Sequence, residues 1–225
     1  MQLENFNSGR LPARRILSHC KTGCYAIVHF TLNTWTNQEW GYGDEDPALF
    51  NPDNFDADAL VQNCIDGGLD GLILVCKHHQ GFCLWPTKTT DYNITRAPWK
   101  NGQGDMVKEI SDACRRHGIG IGFYISPWDR NNAAYGTEKY VQLFREQLRE
   151  VYTTYGNAFE CWYDGANGGD GYYGGAREMR RIDASTYYDW DNTWKIAREL
   201  QPNAVFFSDI GPDVRWCGNE AGTAR

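Results

Sequence analysis

The chain has 225 residues, of which 41% are hydrophobic, and a formal net charge of -7. That length supports one substantial core without disulfide staples, so a single domain is expected. The acidic balance, with Lys and Arg scattered rather than clustered, argues against nucleic-acid and anionic-membrane partners, and no apolar run is long enough to span a bilayer.

The first residues lack the basic-then-apolar order of a secretory signal. Cys64, Cys76, Cys114 and Cys161 sit inside apolar runs and read as buried thiols, which points to a reducing compartment. Cys20 and Cys24 form a lone pair with no second pair beside it, a weak metal signal.

A short apolar strand over 26–30 carries His29, and its tail brings Asn33, Trp35, Glu39 and Trp40. Flat aromatic faces mixed with hydrogen-bonding groups suit a sugar. The alternative, with both indoles in the core and Glu39 in solvent, stays open. A helix over 56–66, closed by Gly67 and Gly68, leads to a strand over 71–76. That strand runs into Lys77, His78, His79 and Gln80, and then to Trp85. Successive side chains of an extended strand point to opposite faces, and neither H-x-H nor H-E-x-x-H spacing is present. The two histidines are therefore expected to bond substrate hydroxyls rather than a metal.

A helix over 105–117, ended by Gly118, precedes a strand over 119–125 whose end presents Tyr124, Ser126, Trp128, Asp129 and Arg130. Tyr124 is the site candidate here, while Asp129 and Arg130 read as a local ion pair. A helix over 137–155, ended by Gly156, precedes a strand over 158–163 that drives straight into Asp164. Trp162 and Asp164 share a face if the strand stays regular, which sets an indole beside a carboxylate. The glycine-rich stretch 165–175 reads as a long loop. After a helix over 190–200 and a strand over 204–207, the last loop offers Asp213, Trp216 and Glu220. Asp213 and Glu220 compete for the role of second carboxyl group, the longer side chain making Glu220 the more adaptable acid.

Strands alternating with helices every 40 to 50 residues indicate βαβ units, and the aromatic and polar tails after the strands favour a (β/α) TIM-like barrel with its site at the C-terminal face. About five units can be counted where closure needs eight. The expected fold is thus α/β, an incomplete barrel over 1–225: a fragment, a truncated gene product, or a piece that needs a partner, whether a homo-oligomeric contact or a complementing chain, and the sequence does not choose among these. A stacked indole and two carboxyl groups fit glycoside cleavage. A metal-dependent barrel hydrolase and a non-catalytic carbohydrate-binding fragment are the competing readings.

Six stretches carry a denser signal. They are Asn33-Thr-Trp-Thr-Asn-Gln-Glu-Trp-Gly, Lys77-His-His-Gln-Gly-Phe-Cys-Leu-Trp-Pro, Gly104-Asp-Met-Val with Asp112-Ala-Cys-Arg, Ser126-Pro-Trp-Asp-Arg, Trp162-Tyr-Asp-Gly-Ala-Asn-Gly, and Gly211-Pro-Asp-Val-Arg-Trp-Cys-Gly-Asn-Glu-Ala-Gly. Together they resemble glycoside hydrolase family 29, the α-L-fucosidases, in particular the branch that prefers α-1,3/1,4-linked fucose. The resemblance implies a retaining hydrolase of fucosylated glycans that needs no cofactor or metal. It implies Asp164 as nucleophile, Glu220 as general acid/base, and a fucose pocket of His29, Glu39, Trp40, His78, His79, Tyr124 and Trp162, with Trp85 and Trp216 beside it. Three departures accompany it. Gln80 stands where an aspartate is expected, residues 168–183 read as an insertion placed to lean over the site, and the family's C-terminal β-sandwich is absent.

Overall fold

Apolar runs too short for a helix and buried on both faces become the strands of a parallel sheet. The computed structural model describes residues 12–216. In chain order its regular elements are α1 (Arg14–His19), β1 (Tyr25–Val28), α2 (Asn33–Thr36), α3 (Ala57–Asp66), β2 (Gly71–Lys77), α4 (Met106–His117), β3 (Gly120–Ile125), α5 (Glu138–Thr154), β4 (Glu160–Trp162), β5 (Gly169–Gly171), β6 (Glu178–Arg180), α6 (Trp190–Leu200) and β7 (Val205–Phe207). Five strands form one parallel sheet in the order β1-β2-β3-β4-β7, and β5 pairs with β6 in an antiparallel hairpin.

Every residue of β2 is buried, as a central strand requires. Its pairing with β3 runs from Gly71↔Gly120 to Val75↔Tyr124 and then shifts to Lys77↔Ile125. This irregularity sits directly before His78 and His79, where a bulge re-aims the side chains that follow. Two of the helices between the strands, α3 and α4, begin at acidic caps. The Asp56 carboxylate accepts from the Ala59 amide at 3.0 Å, and Asp105 accepts from Lys108 at 2.9 Å. Helix α4 stops at Gly118, whose φ of 75° is open to glycine at no steric cost.

Side-chain alternation divides the sheet into two apolar layers. Leu72, Leu74, Phe123, Cys161 and Phe206 join the large core beneath the helices. Ile73, Val75 and Tyr124, with Tyr25, Phe159 and Trp162, fill the opposite face. Asp164 continues that second face beyond the end of β4, so the strand pattern itself aims it at the concave side.

Among the described residues the sheet is open, with β1 and β7 as edges, and no closed barrel is formed, in keeping with the five units counted from the sequence. The structure differs from the expectations in two respects. The stretch read as a loop and insertion contains the β5–β6 hairpin. Helix α1, which no periodicity announced, reaches across to the far side of the sheet. Its Arg15 meets Asp213 at 2.8 Å, and the His19 ring lies 2.5 Å from the fully buried Glu160 carboxylate.

Candidate active site

The tails of the parallel strands enclose a cavity of about 660 Å³. It is lined by His29, Glu39, Trp40, His78, His79, Trp162, Asp164, Gly165, Ala166, Phe207, Asp209 and Trp216. This is the carboxyl end of the sheet, where α/β proteins present their chemistry.

Asp164 is held at both oxygens. The Tyr124 hydroxyl donates to Oδ2 at 2.8 Å, and the Ala166 amide donates to Oδ1 at 2.7 Å. Burial first, and then the negative charge of Asp164, push the Tyr124 phenol well above its ordinary value, so it stays a donor. Tyr124 packs in turn against Trp162 at 5.2 Å and stacks on His78 at 5.9 Å between ring centres.

The three histidines are neutral at pH 7. Burial lowers His79 to about 3, assisted by the charges of Arg130, His29 and Lys77. Burial lowers His78 to about 2, with His79 and His29 adding to the effect. His29 is lowered by burial too, against the opposing pull of Asp164. Hydrogen bonding assigns the His79 tautomer. The Ser126 hydroxyl donates to the Trp128 carbonyl at 2.8 Å, so it accepts from His79 Nδ1 at 2.7 Å. The Nε2 lone pair, 3.7 Å from Asp164 Oδ1, is then free to accept from a ligand hydroxyl. His78 has the opposite polarity, because Asn33 Nδ2 approaches its Nδ1 at 3.5 Å and leaves the proton on Nε2. The cavity therefore presents one imidazole acceptor and one imidazole donor beside a carboxylate, flanked by Trp40 and Trp216, a donor–acceptor array suited to a polyol with one apolar face.

A family model described as Alpha-L-fucosidase matches residues 14–219. The chain belongs to the alpha-L-fucosidase family. It is 44% identical over 215 residues to Alpha-L-fucosidase 1 of Arabidopsis thaliana, covering 95% of this chain and 40% of that protein. A glycoside hydrolase 29 family member from an unknown rumen bacterium superposes with a TM-score of 0.91 at 52% identity, over 94% of this chain and 39% of that one. A putative alpha-L-fucosidase from Bacteroides ovatus gives a TM-score of 0.83 at 43% identity, over 95% of this chain and 35% of that one. The chain thus spans about two fifths of the length of the curated fucosidase it matches first.

Within this fucosidase-family fold, the cavity gathers seven of the residues singled out from sequence, His29, Glu39, Trp40, His78, His79, Trp162 and Trp216, around Asp164. Tyr124 stands directly behind them. Trp85 does not join them. The chain folds back after β2, with the Leu84 amide bonding to the Cys76 carbonyl, and carries Trp85 into the core. There it is 2% exposed and donates to Glu150 at 2.8 Å. Trp35, left open between core and sugar, packs on Phe30 and Phe50.

Asp129 and Arg130 do not pair with each other. Asp129 meets the buried Lys77 at 3.3 Å, and Arg130 meets Asp170 at 2.8 Å. Asp213, the rival second carboxyl, is buried between Arg15 and Arg198. Burial alone would raise it, but the two guanidinium groups and the Phe206 amide hold it below the usual carboxylate range, which suits an anchor and not a proton donor. Glu220 lies outside the described residues. Gln80 is fully buried, and neither of its amide atoms has a hydrogen-bond partner among the described residues. Among the described residues no three His, Cys, Asp or Glu side chains gather as a metal-binding group. Asp209 was missed by sequence reasoning, although its signal matched that of Asp164: a carboxylate two residues past a buried strand.

Proposed function

We propose that this chain carries the fucose pocket and both catalytic carboxyl groups of a retaining α-L-fucosidase. Asp164 attacks the anomeric carbon of α-L-fucose while Glu220, protonated, donates to the leaving glycosidic oxygen. Water then hydrolyses the covalent fucosyl-enzyme with Glu220 as base. The observation that carries this reading is the posture of Asp164. Both oxygens are fixed by Tyr124 and Ala166 at the end of β4, in a cavity whose neutral imidazoles suit sugar hydroxyls.

Two finer points belong to the same proposal. The motif from Gly211 to Gly222 supports a preference for α-1,3/1,4 linkages, with fucosylated glycans as substrates. The open edges at β1 and β7 support a closed (β/α) barrel in the whole protein, in which further strands pair with both.

The test is incubation of the purified chain with a Lewis-type fucosylated oligosaccharide, with free fucose and its first-formed anomer followed by NMR. Release of the α anomer is expected, and Asp164→Asn should lower the rate by about 10⁴-fold or more. Unchanged release by the Asp164→Asn variant, or first release of the β anomer, would refute the mechanism.

A further inference from the structure

The indole of Trp40, 41% exposed, forms one wall of the cavity, yet the segment that carries it has little apolar anchorage of its own. Its anchorage is polar: Asn131 Nδ2 donates to the Gly43 carbonyl at 2.8 Å and the Tyr92 hydroxyl to the Glu45 carbonyl at 2.9 Å, and next to the indole itself the bonds come from Arg130. The residue is 3% exposed and, through side chain and backbone together, reaches three other segments at once. Its Nη1 donates to the carbonyls of Gly41 at 2.6 Å and Trp40 at 3.4 Å. Nε and Nη2 donate to the Asp170 carbonyl at 2.6 Å and carboxylate at 2.8 Å, on the β5–β6 hairpin. Its own backbone amide bonds the His79 carbonyl at 2.8 Å, while its carbonyl accepts from Tyr173 at 2.7 Å.

The hairpin grips the same segment independently. The Tyr172 amide donates to the Tyr42 carbonyl at 2.9 Å, and Arg177 pairs with Asp44 at 3.0 Å. The guanidinium groups of Arg130 and Arg177 lie 4.5 and 4.0 Å from the centre of the Tyr42 ring. The hairpin also backs the wall from behind. The Tyr173 hydroxyl accepts from the Trp128 indole at 3.0 Å, and Trp128 packs on Trp40 at 5.8 Å and on His79 at 5.4 Å. Yet no hairpin residue lines the cavity. The insertion is a buttress behind the wall, and does not lean over the site.

We propose that Arg130 is a positioning residue that couples the β5–β6 hairpin to the Trp40 wall, so that the hairpin sets how tightly the sugar is held without touching it. A planar five-donor fork suits this task, because it bonds backbone carbonyls on one side and a carboxylate on the other; a lysine ammonium cannot span both. The part of this inference that concerns sugar rests on the function proposed above, whereas the mechanical coupling does not.

The test therefore has two arms on the full chain, using Arg130→Lys and, because a buried arginine can be needed for folding, the exposed hairpin variants Asp170→Asn and Arg177→Ala. Hydrogen exchange by mass spectrometry reads the peptide spanning residues 39–46. Faster exchange there by about 2- to 30-fold is expected, with the amides of α4 and α5 unchanged. Calorimetric titration with L-fucose reads the grip, and a loss of affinity of the same order is expected in all three variants. Unchanged exchange in 39–46 overturns the coupling. Faster exchange with unaltered fucose affinity overturns the claim that the hairpin sets the grip. If the parent chain binds no fucose, the reading of the site as a fucose pocket fails, and the exchange arm still decides whether the hairpin holds the Trp40 wall.

Discussion

Asp164 and Asp209 stand two residues beyond neighbouring strands, β4 and β7, and what each carboxylate touches separates their roles. Asp164 is bonded at both oxygens. Asp209 instead rests against the backbone of Gly165, where a Cβ would come within 1.9 Å of its Oδ2. Partial withdrawal from water, and then the charge of Asp164, raise the Asp209 carboxyl above its ordinary value. A raised carboxyl stabilises the fold in its protonated form, so that contribution is present at pH below the unfolded value near 3.8 and is lost as pH rises through the folded value. Asp209→Asn removes this loss. In urea titrations, its stability relative to the parent should increase as pH rises above the unfolded value near 3.8 and level off once the pH has passed the raised folded value, and a difference independent of pH would contradict the assignment. Asp164 was legible in the sequence because an apolar strand ended on it. Asp209 carried the same mark, but Asp213 and Glu220 follow it on the same loop, and the sequence alone does not rank three neighbouring carboxylates. The burial of Trp85 was not legible, since it depends on a chain reversal made by a backbone bond between Leu84 and Cys76.

At the scale of elements, strands and helices announced themselves where local chemistry and burial agree. The helix expected over 56–66 begins at Ala57 with Asp56 as its cap, and the one expected over 190–200 is found at those bounds. Asp56→Ala deletes the acceptor of the Ala59 amide and should cost about 1 kcal/mol of unfolding free energy in chemical denaturation, with no change at the cavity. A cost near zero would mean that water satisfies that amide equally well. The hairpin was illegible for the opposite reason. Gly169–Gly171 and Glu178–Arg180 show no apolar alternation, and besides their pairing with each other it is partners far off in sequence, such as Arg130 with Asp170 and Ala133 with Arg180, that give them a fixed place. The bulge between Val75 and Lys77 was hidden likewise, because a buried apolar run reads the same with or without one.

The whole molecule depends on contacts that span almost its full described length. The parallel sheet was legible from the alternation of βα units, but no pattern in the sequence joins Arg15 to Asp213 across 198 positions. Asp213 is 2% exposed at its side chain, and it accepts from Arg15 at 2.8 Å, from the Phe206 amide at 3.0 Å and from Arg198. It thus ties α1 and α6 to β7, the strand whose edge also receives the Val214 amide at the Phe206 carbonyl. Removing its charge leaves two arginines, each about a quarter exposed, without their partner. Solvent screens part of that loss, so Asp213→Asn should cost roughly 1–3 kcal/mol at neutral pH. The pH dependence has a defined sign. Because the folded carboxyl is held below its ordinary value, its stabilisation is present above the unfolded value near 3.8 and is lost as pH falls through the folded value. Denaturant midpoints of the parent chain and Asp213→Asn should therefore differ at pH 7 and converge as pH falls below about 4. A gap that persists at low pH would show that Asp213 acts by packing, and that α1 is held to the sheet by His19 and Glu160 instead.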